Sequence, residues 1–221
     1  MNINLFGNHN PDNFYPETAI TTVSPPNQLL WAIIGLFLTI FGTFIEAFFT
    51  SNFPWDWTVE GIQVQSLKVT YQIGAVLLTG CLGGKNAGAL AQIAYVVIGL
   101  FVLPVFSDGG GQTYGLQYLY KPSFGYLLGF IPGAWLCGWI AFKWKPTLES
   151  LALSALSGLV VIHGVGLAYL TGLHFITSPE APISQILALA QNYSVYPLPG
   201  HLVIVCVVAV ISYILRQILF Y

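Results

Sequence analysis

Residues 28–50 read "QLLWAIIGLFLTIFGTFIEAFFT", and Glu46 is the one charged residue among them. A helix needs about 20 apolar residues to cross the hydrocarbon core of a bilayer. This run therefore predicts a membrane span and not a core helix. Composition extends the reading to the rest of the chain. Its 221 residues are 56% hydrophobic and 6% charged, with a mean hydropathy of +0.74. A soluble domain carries about 25% charged residues, and this chain lacks the groups to cover a water-facing surface. The expected fold class is all-α: a polytopic membrane protein, a bundle of about six transmembrane helices set in membrane lipids. A net charge of -2 and the lack of any basic cluster argue against a nucleic-acid partner.

Five further spans follow, at about 67–82, 87–106, 123–142, 148–173 and 201–219, with "GGKN" at 83–86 as a tight turn. Residues 1–27 form a polar N-terminal leader without the basic n-region and apolar h-region of a signal peptide. Residues 28–221 form the six-helix membrane domain. Span two opens on the polar "LKVTYQ", which belongs against protein or an aqueous cavity, because lipid leaves such groups unsatisfied. Trp55 and Trp57 read as interfacial anchors. Cys81, Cys137 and Cys206 sit in apolar surroundings without metal-ligand spacing and read as small core fillers.

Charge sets the orientation. In a six-span order, Lys85, Lys143, Lys145 and Arg216 fall on one side, and Lys68 and Lys121 on the other. Positive residues favour the cytoplasmic side, which places both termini in the cytoplasm of a plasma-membrane protein. The three longer loops, 51–68, 107–122 and 174–200, then share the outer face and converge into a lidded pocket. One of them contains "GLFVLPVFSDGGG" (99–111), where Asp108 is followed by glycines that let a loop close over a small ligand.

Catalytic chemistry is not indicated. His163 is the one histidine well inside a span and reads as packed and hydrogen-bonded between helices. The acids are scattered, and neither a nucleophile with its base nor a metal motif is present, so no catalytic residue, metal or cofactor is assigned. No phosphate-binding Walker motif is present, so the chain does not power ATP-driven transport alone. Small residues recur every fourth position, as in Gly35, Thr39 and Thr43 on span one and Gly125, Gly129 and Gly133 on span four. Such stripes let helices approach closely, either within the bundle or, for span one, against another membrane subunit.

Three stretches together, "VTYQIGAVLLTGCLGGKNAGAL" (69–90), "GLFVLPVFSDGGG" (99–111) and "GYLLGF" (125–130), resemble the BioY family, the biotin-binding S components of energy-coupling-factor transporters. The likeness continues in "HGVGLAYLTG" (163–172) and "YPLPGHL" (196–202). It implies a non-enzymatic six-helix bundle that binds biotin from outside and delivers it inward by toppling in the membrane. The implied partners are an EcfT-like transmembrane subunit and two ATPase subunits. Residue by residue, it makes Thr70 and Gln72 candidate polar ligands and adds the loop glycines Gly109 and Gly110 and the aromatic Tyr126.

The family's Pro-Gly-Asp-x-x-Lys here reads Pro199-Gly200-His201-Leu202-Val203-Ile204, so His201 stands for the acid and Ile204 for the lysine. Biotin has a carboxylate tail that wants a cation and a ureido ring that wants both acceptors and donors. Lys68 and Lys121 are the cations on the outer face, with Asp108 as an acceptor and His201 as a donor; Tyr114 and Tyr118 add apolar walls. The lost acid and lysine leave another small vitamin-like ligand open, and an unrelated membrane enzyme is the reading from a different class. The resemblance also implies that Gly35, Thr39 and Thr43 meet the EcfT-like partner.

Overall fold

The structure is a computed structural model and describes residues 23–50, 61, 64–108, 111–177 and 182–219. It contains helix α1 (Pro25–Phe44), strands β1 (Glu46–Thr50) and β2 (Val64–Thr70), helix α2 (Gln72–Phe101), and strands β3 (Phe106–Asp108) and β4 (Gly111–Thr113). A 3-10 turn (Leu116–Tyr120) leads into α3 (Phe124–Lys143) and α4 (Leu148–Thr177). The short α5 (Ile183–Ala190) runs through a π turn (Gln191–Val195) to α6 (Leu198–Ile218).

Five helical stretches are long and apolar enough to cross a membrane. One of them, α2, is bent back on itself. Gly84 has φ 80° and ψ 179°, a region that essentially only glycine occupies, so the helical ladder stops there and restarts in a new direction. Gln72 Nε2 then donates to the hydroxyl of Tyr95 at 2.9 Å, although a straight helix would hold these residues roughly 34 Å apart. The limbs 72–83 and 85–101 therefore lie antiparallel, with the expected "GGKN" turn between them, and the bundle has six spans.

The helices meet through residues without bulk. A Cβ on Gly80 would lie 2.8 Å from the carbonyl oxygen of Ala134, and one on Gly138 would lie 2.5 Å from the backbone of Gly84 and Lys85. This brings α3 against both limbs of α2. Leu77, Cys81, Cys137, Leu159 and Ile162 fill the space between. Cys81 and Cys137 are free thiols with sulfurs 3.4 Å apart, while Cys206 faces outward. The broad exposed face of α1, with Leu29, Leu30, Ile33, Phe37 and Phe41, and that of α6, with Val203, Val207, Val210 and Ile214, suit contact with lipid tails.

Three expectations need correction. Span one ends at Phe44, not Thr50, because Glu46–Thr50 pairs antiparallel with β2, with Glu46 opposite Thr70 and Phe48 opposite Ser66. Span five continues to Thr177. The stripe on α1 faces inward. Thr39 and Thr43 are 0% and 3% exposed, and a Cβ on Gly35 would lie 2.3 Å from Thr79. Thr39 accepts a hydrogen bond from Gln92, and Thr43 meets Tyr95. Gly35, Thr39 and Thr43 are thus covered by α2 and do not form a surface for another subunit. A uniformly apolar span does not announce which side packs.

Candidate functional site

The ends of the elements opposite the Gly84 turn surround a cavity of about 170 Å³. Thr70 comes from the end of β2, Gln72 and Ile73 from the first limb of α2, and Tyr95 from the second. Ser107 and Tyr118 come from the 102–123 connection, Tyr126, Leu127 and Phe130 from the first turns of α3, Tyr193 from the π turn and His201 from the start of α6. The polar groups are therefore contributed by elements far apart in sequence. Gly200 permits the last contribution: a Cβ there would lie 2.8 Å from the carbonyl oxygen of Leu67, so only a bare backbone lets α6 begin against β2.

Two hydrogen-bond clusters shape the walls. Around Tyr95, the hydroxyl receives Gln72 Nε2, donates to the carbonyl of Val105 at 2.9 Å and lies 3.2 Å from Thr43 Oγ1. Tyr118 donates to the carbonyl of Ser107 at 3.1 Å and accepts from Ser123 at 3.0 Å. Phe106 packs between Tyr95 and Tyr118, with ring centroids 5.5 and 4.6 Å away. On the opposite wall, the Tyr126 hydroxyl is 2.7 Å from Ser194 Oγ, Ser194 Oγ is 3.0 Å from His163 Nδ1, and His163 Nε2 is 3.2 Å from His201 Nδ1. Tyr193 stacks on Tyr126.

Of the expected site residues, the cavity gathers Thr70, Gln72, Tyr126 and His201. Lys68 and Lys121 are exposed and do not line it, although each stands two residues before a lining residue, Thr70 or Ser123. Asp108 contributes its backbone to β3, pairing with Gly111; its side chain lies outside the described residues, as do Gly109, Gly110, Trp55 and Trp57. Tyr118 lines the cavity, whereas Tyr114 is exposed and does not line it. Ile204, at the position of the family's lysine, is 3% exposed, packs on Gly74 of α2 and does not line the cavity. Sequence reasoning did not nominate Tyr95, Ser107, Ser123 or Tyr193, which carry no local motif.

A larger cavity of about 390 Å³ lies at the other end, between Gln28, Lys85, Asn86, Trp139 and Lys143. It collects none of the expected ligand residues and is mostly apolar, with the lysines laid over the faces of Trp135 and Trp139. The site is therefore placed in the smaller cavity. Among the described residues, its lining contains hydroxyl, amide and imidazole groups and no carboxylate, ammonium or guanidinium. Among the described residues, no group of three or more His, Cys, Asp or Glu stands ready to hold a metal. About 170 Å³ falls below the roughly 300 Å³ at which pockets for drug-sized ligands begin, which suits a small ring system.

A bundle of long apolar helices that keeps a polar cavity at one end defines the class of polytopic helical membrane proteins. Within that class the chain belongs to the BioY family, whose family model matches residues 21–220. It is similar to a probable biotin transporter BioY of Lysinibacillus sphaericus, 42% identical over 110 residues, which span 49% of this chain and 54% of that protein. The biotin transporter BioY of Thermotoga maritima is 39% identical over 105 residues, 48% of this chain and 60% of that protein. These alignments thus span little more than half the length of either relative. An uncharacterised 21.2 kDa protein of Cyanophora paradoxa aligns more fully, 29% identical over 86% of this chain and 95% of its own length. Among solved structures, the S component for biotin from an ECF-type ABC transporter superposes with a TM-score of 0.61 over 89% of this chain and 95% of that one, at 19% identity. That likeness establishes the shared fold.

Proposed function

We propose that the protein is a substrate-capture component that binds biotin from the extracytoplasmic side and passes it inward with an energy-coupling module. The observation that carries this reading is the cavity itself. Thr70, Gln72 and His201, drawn from three separate elements, converge at the end of the bundle opposite Lys85, Lys143 and Arg216. The positive-inside tendency puts those cations in the cytoplasm, together with both termini, so the cavity opens outward. Biotin's ureido ring finds hydroxyl, amide and imidazole partners there, and its thiophane lies against Ile73, Leu127 and Phe130. Among the described residues the cavity has no cation to compensate a buried carboxylate, which would be costly to desolvate. The valerate tail therefore stays at the mouth, near the segments that carry Lys68 and Lys121.

Energising this step requires other subunits, because the chain has no nucleotide-binding motif. The family supplies an EcfT-like subunit with ATPases, and this chain is assigned the same partners. With the small-residue face of α1 turned inward, the contact falls on other surfaces. The test is mass spectrometry of ligand extracted from gently purified protein, followed by calorimetric titration with biotin. Co-purifying biotin and saturable binding are expected. A different extracted vitamin, with no heat from biotin, overturns the ligand assignment.

A further inference from the structure

His163 was expected to pack and hydrogen-bond between helices, and both of its ring nitrogens are engaged toward the cavity wall. Nδ1 faces Ser194 Oγ, Nε2 faces His201 Nδ1, and Ser194 Oγ faces the Tyr126 hydroxyl. All four side chains are buried, at 7–9% exposure. The two ends of the series, Tyr126 and His201, both line the cavity. Ser194 is held by a π turn, a wider turn frequent at functional sites, and the Tyr126 ring is seated on Gly166.

A neutral imidazole has one N–H and one bare nitrogen. Between two such rings and two hydroxyls, two arrangements satisfy every contact while each bridging proton is used within the series. In the first, Tyr126 donates to Ser194, Ser194 donates to His163 Nδ1, and His163 Nε2–H donates to His201 Nδ1. His201 Nε2–H is then a donor into the cavity, and the Tyr126 oxygen is left as an acceptor. In the second, every bond runs the other way: His201 Nε2 accepts from the cavity, and the Tyr126 hydroxyl donates to it. Conversion moves one proton out at His201 Nε2 and one in at the Tyr126 hydroxyl, exchanged with water at the mouth, and each link passes its proton to the next. The charge of the wall does not change.

We propose that His163 is a positioning residue for ligand recognition, coupling His201 to Ser194 and Tyr126 so that the wall always presents one donor and one acceptor of opposite sense. The chemistry that meets such a pair is a cyclic ureide, lactam or cis-amide, whose adjacent N–H and C=O match it in either arrangement. This inference rests on the reading of the cavity as the ligand site, and it explains how His201 works where the family's acid accepts only.

The experiment uses the full chain in nanodiscs with 15N-labelled histidine. In the ligand-free wild type, a scalar coupling between His163 Nε2 and His201 Nδ1 is expected, and it disappears in His163→Phe and, through altered tautomers, weakens in Ser194→Ala. Absence of that coupling in the wild type overturns the proposal, whatever the ligand proves to be. Titration with 2-imidazolidinone, a bare cyclic ureide, is expected to shift both histidines together in the wild type; a shift of His201 alone overturns the coupling. With biotin as the second probe, His163→Phe is expected to lower affinity about tenfold, equivalent to about 1.4 kcal/mol, with an unchanged thermal midpoint. Unchanged biotin affinity in both variants overturns the positioning role. If the coupling and the imidazolidinone response are present and biotin does not bind the wild type, the wall's donor-acceptor pair stands and biotin as the physiological ligand falls.

Discussion

Gly164 and Gly166 lie two residues apart on α4, and the structure separates them sharply. A Cβ on Gly166 would sit 2.4 Å from Cδ1 and 2.5 Å from Cε1 of Tyr126, whereas one on Gly164 would meet nothing within 4 Å. Alanine in place of glycine inside a helix is favourable by roughly 1 kcal/mol, so Gly164→Ala is expected to raise thermal stability slightly and leave ligand binding alone. At Gly166 the same gain is opposed by overpacking, which typically costs about 1–3 kcal/mol. The net stability change there is a loss of roughly 0–2 kcal/mol. Binding suffers further, because the displaced Tyr126 ring no longer reaches Ser194 or stacks on Tyr193. A hydrogen bond of this kind is worth about 0.5–1.5 kcal/mol, which translates to a fall in biotin affinity of roughly 2- to 12-fold. Calorimetric titration and thermal melts on the two variants, purified side by side, provide the assay. Equal behaviour of Gly164→Ala and Gly166→Ala in both measurements would refute the argument that Tyr126 is seated on Gly166 and shapes the cavity.

Further outcomes follow from the turn and the orientation. Gly84→Ala is expected to destabilise the fold by about 1–3 kcal/mol, because φ 80° with ψ 179° suits glycine alone; a thermal midpoint at or above wild type contradicts the fold-back of α2. Gly138→Val should prevent α3 from approaching the backbone of Gly84 and Lys85 and lower yield and melting temperature together; normal values for both count against that contact. In intact cells, Lys121→Cys is expected to react with a membrane-impermeant maleimide while Lys143→Cys stays protected, and the reverse pattern inverts the assigned topology.

Most of the bundle was legible because each span is a long run with few charges, and "GGKN" is a strong stop between two such runs. The β1–β2 pairing was hidden, since "EAFFT" continues the apolar run of α1 without a break and only Glu46 marks the change. The inward face of α1 was equally hidden: with lipid outside and protein inside, both sides of the helix are apolar, so Gly35, Thr39 and Thr43 could be placed only by their contacts with Thr79, Gln92 and Tyr95. In the site, the polar start of the second span announced Thr70 and Gln72 because such groups are costly in lipid. His163 carried no such signal. Its partners Ser194 and His201 are 31 and 38 residues away in sequence, and no local spacing encodes that meeting. Lys68 and Lys121 were chosen for their charge, yet the described residues lining the cavity are neutral, and charge by itself says nothing about which way a side chain reaches.

The first limb of α2, residues 72–83, is about 18 Å long at 1.5 Å per residue, well short of the hydrocarbon thickness of about 30 Å. The strand β2 ahead of it and the cavity beside it occupy the difference. The helical part of this limb is thus little more than half as thick as a hydrocarbon core. On the capture function proposed above, a tilt or slide of the bundle has only that thinner layer to carry the ligand past.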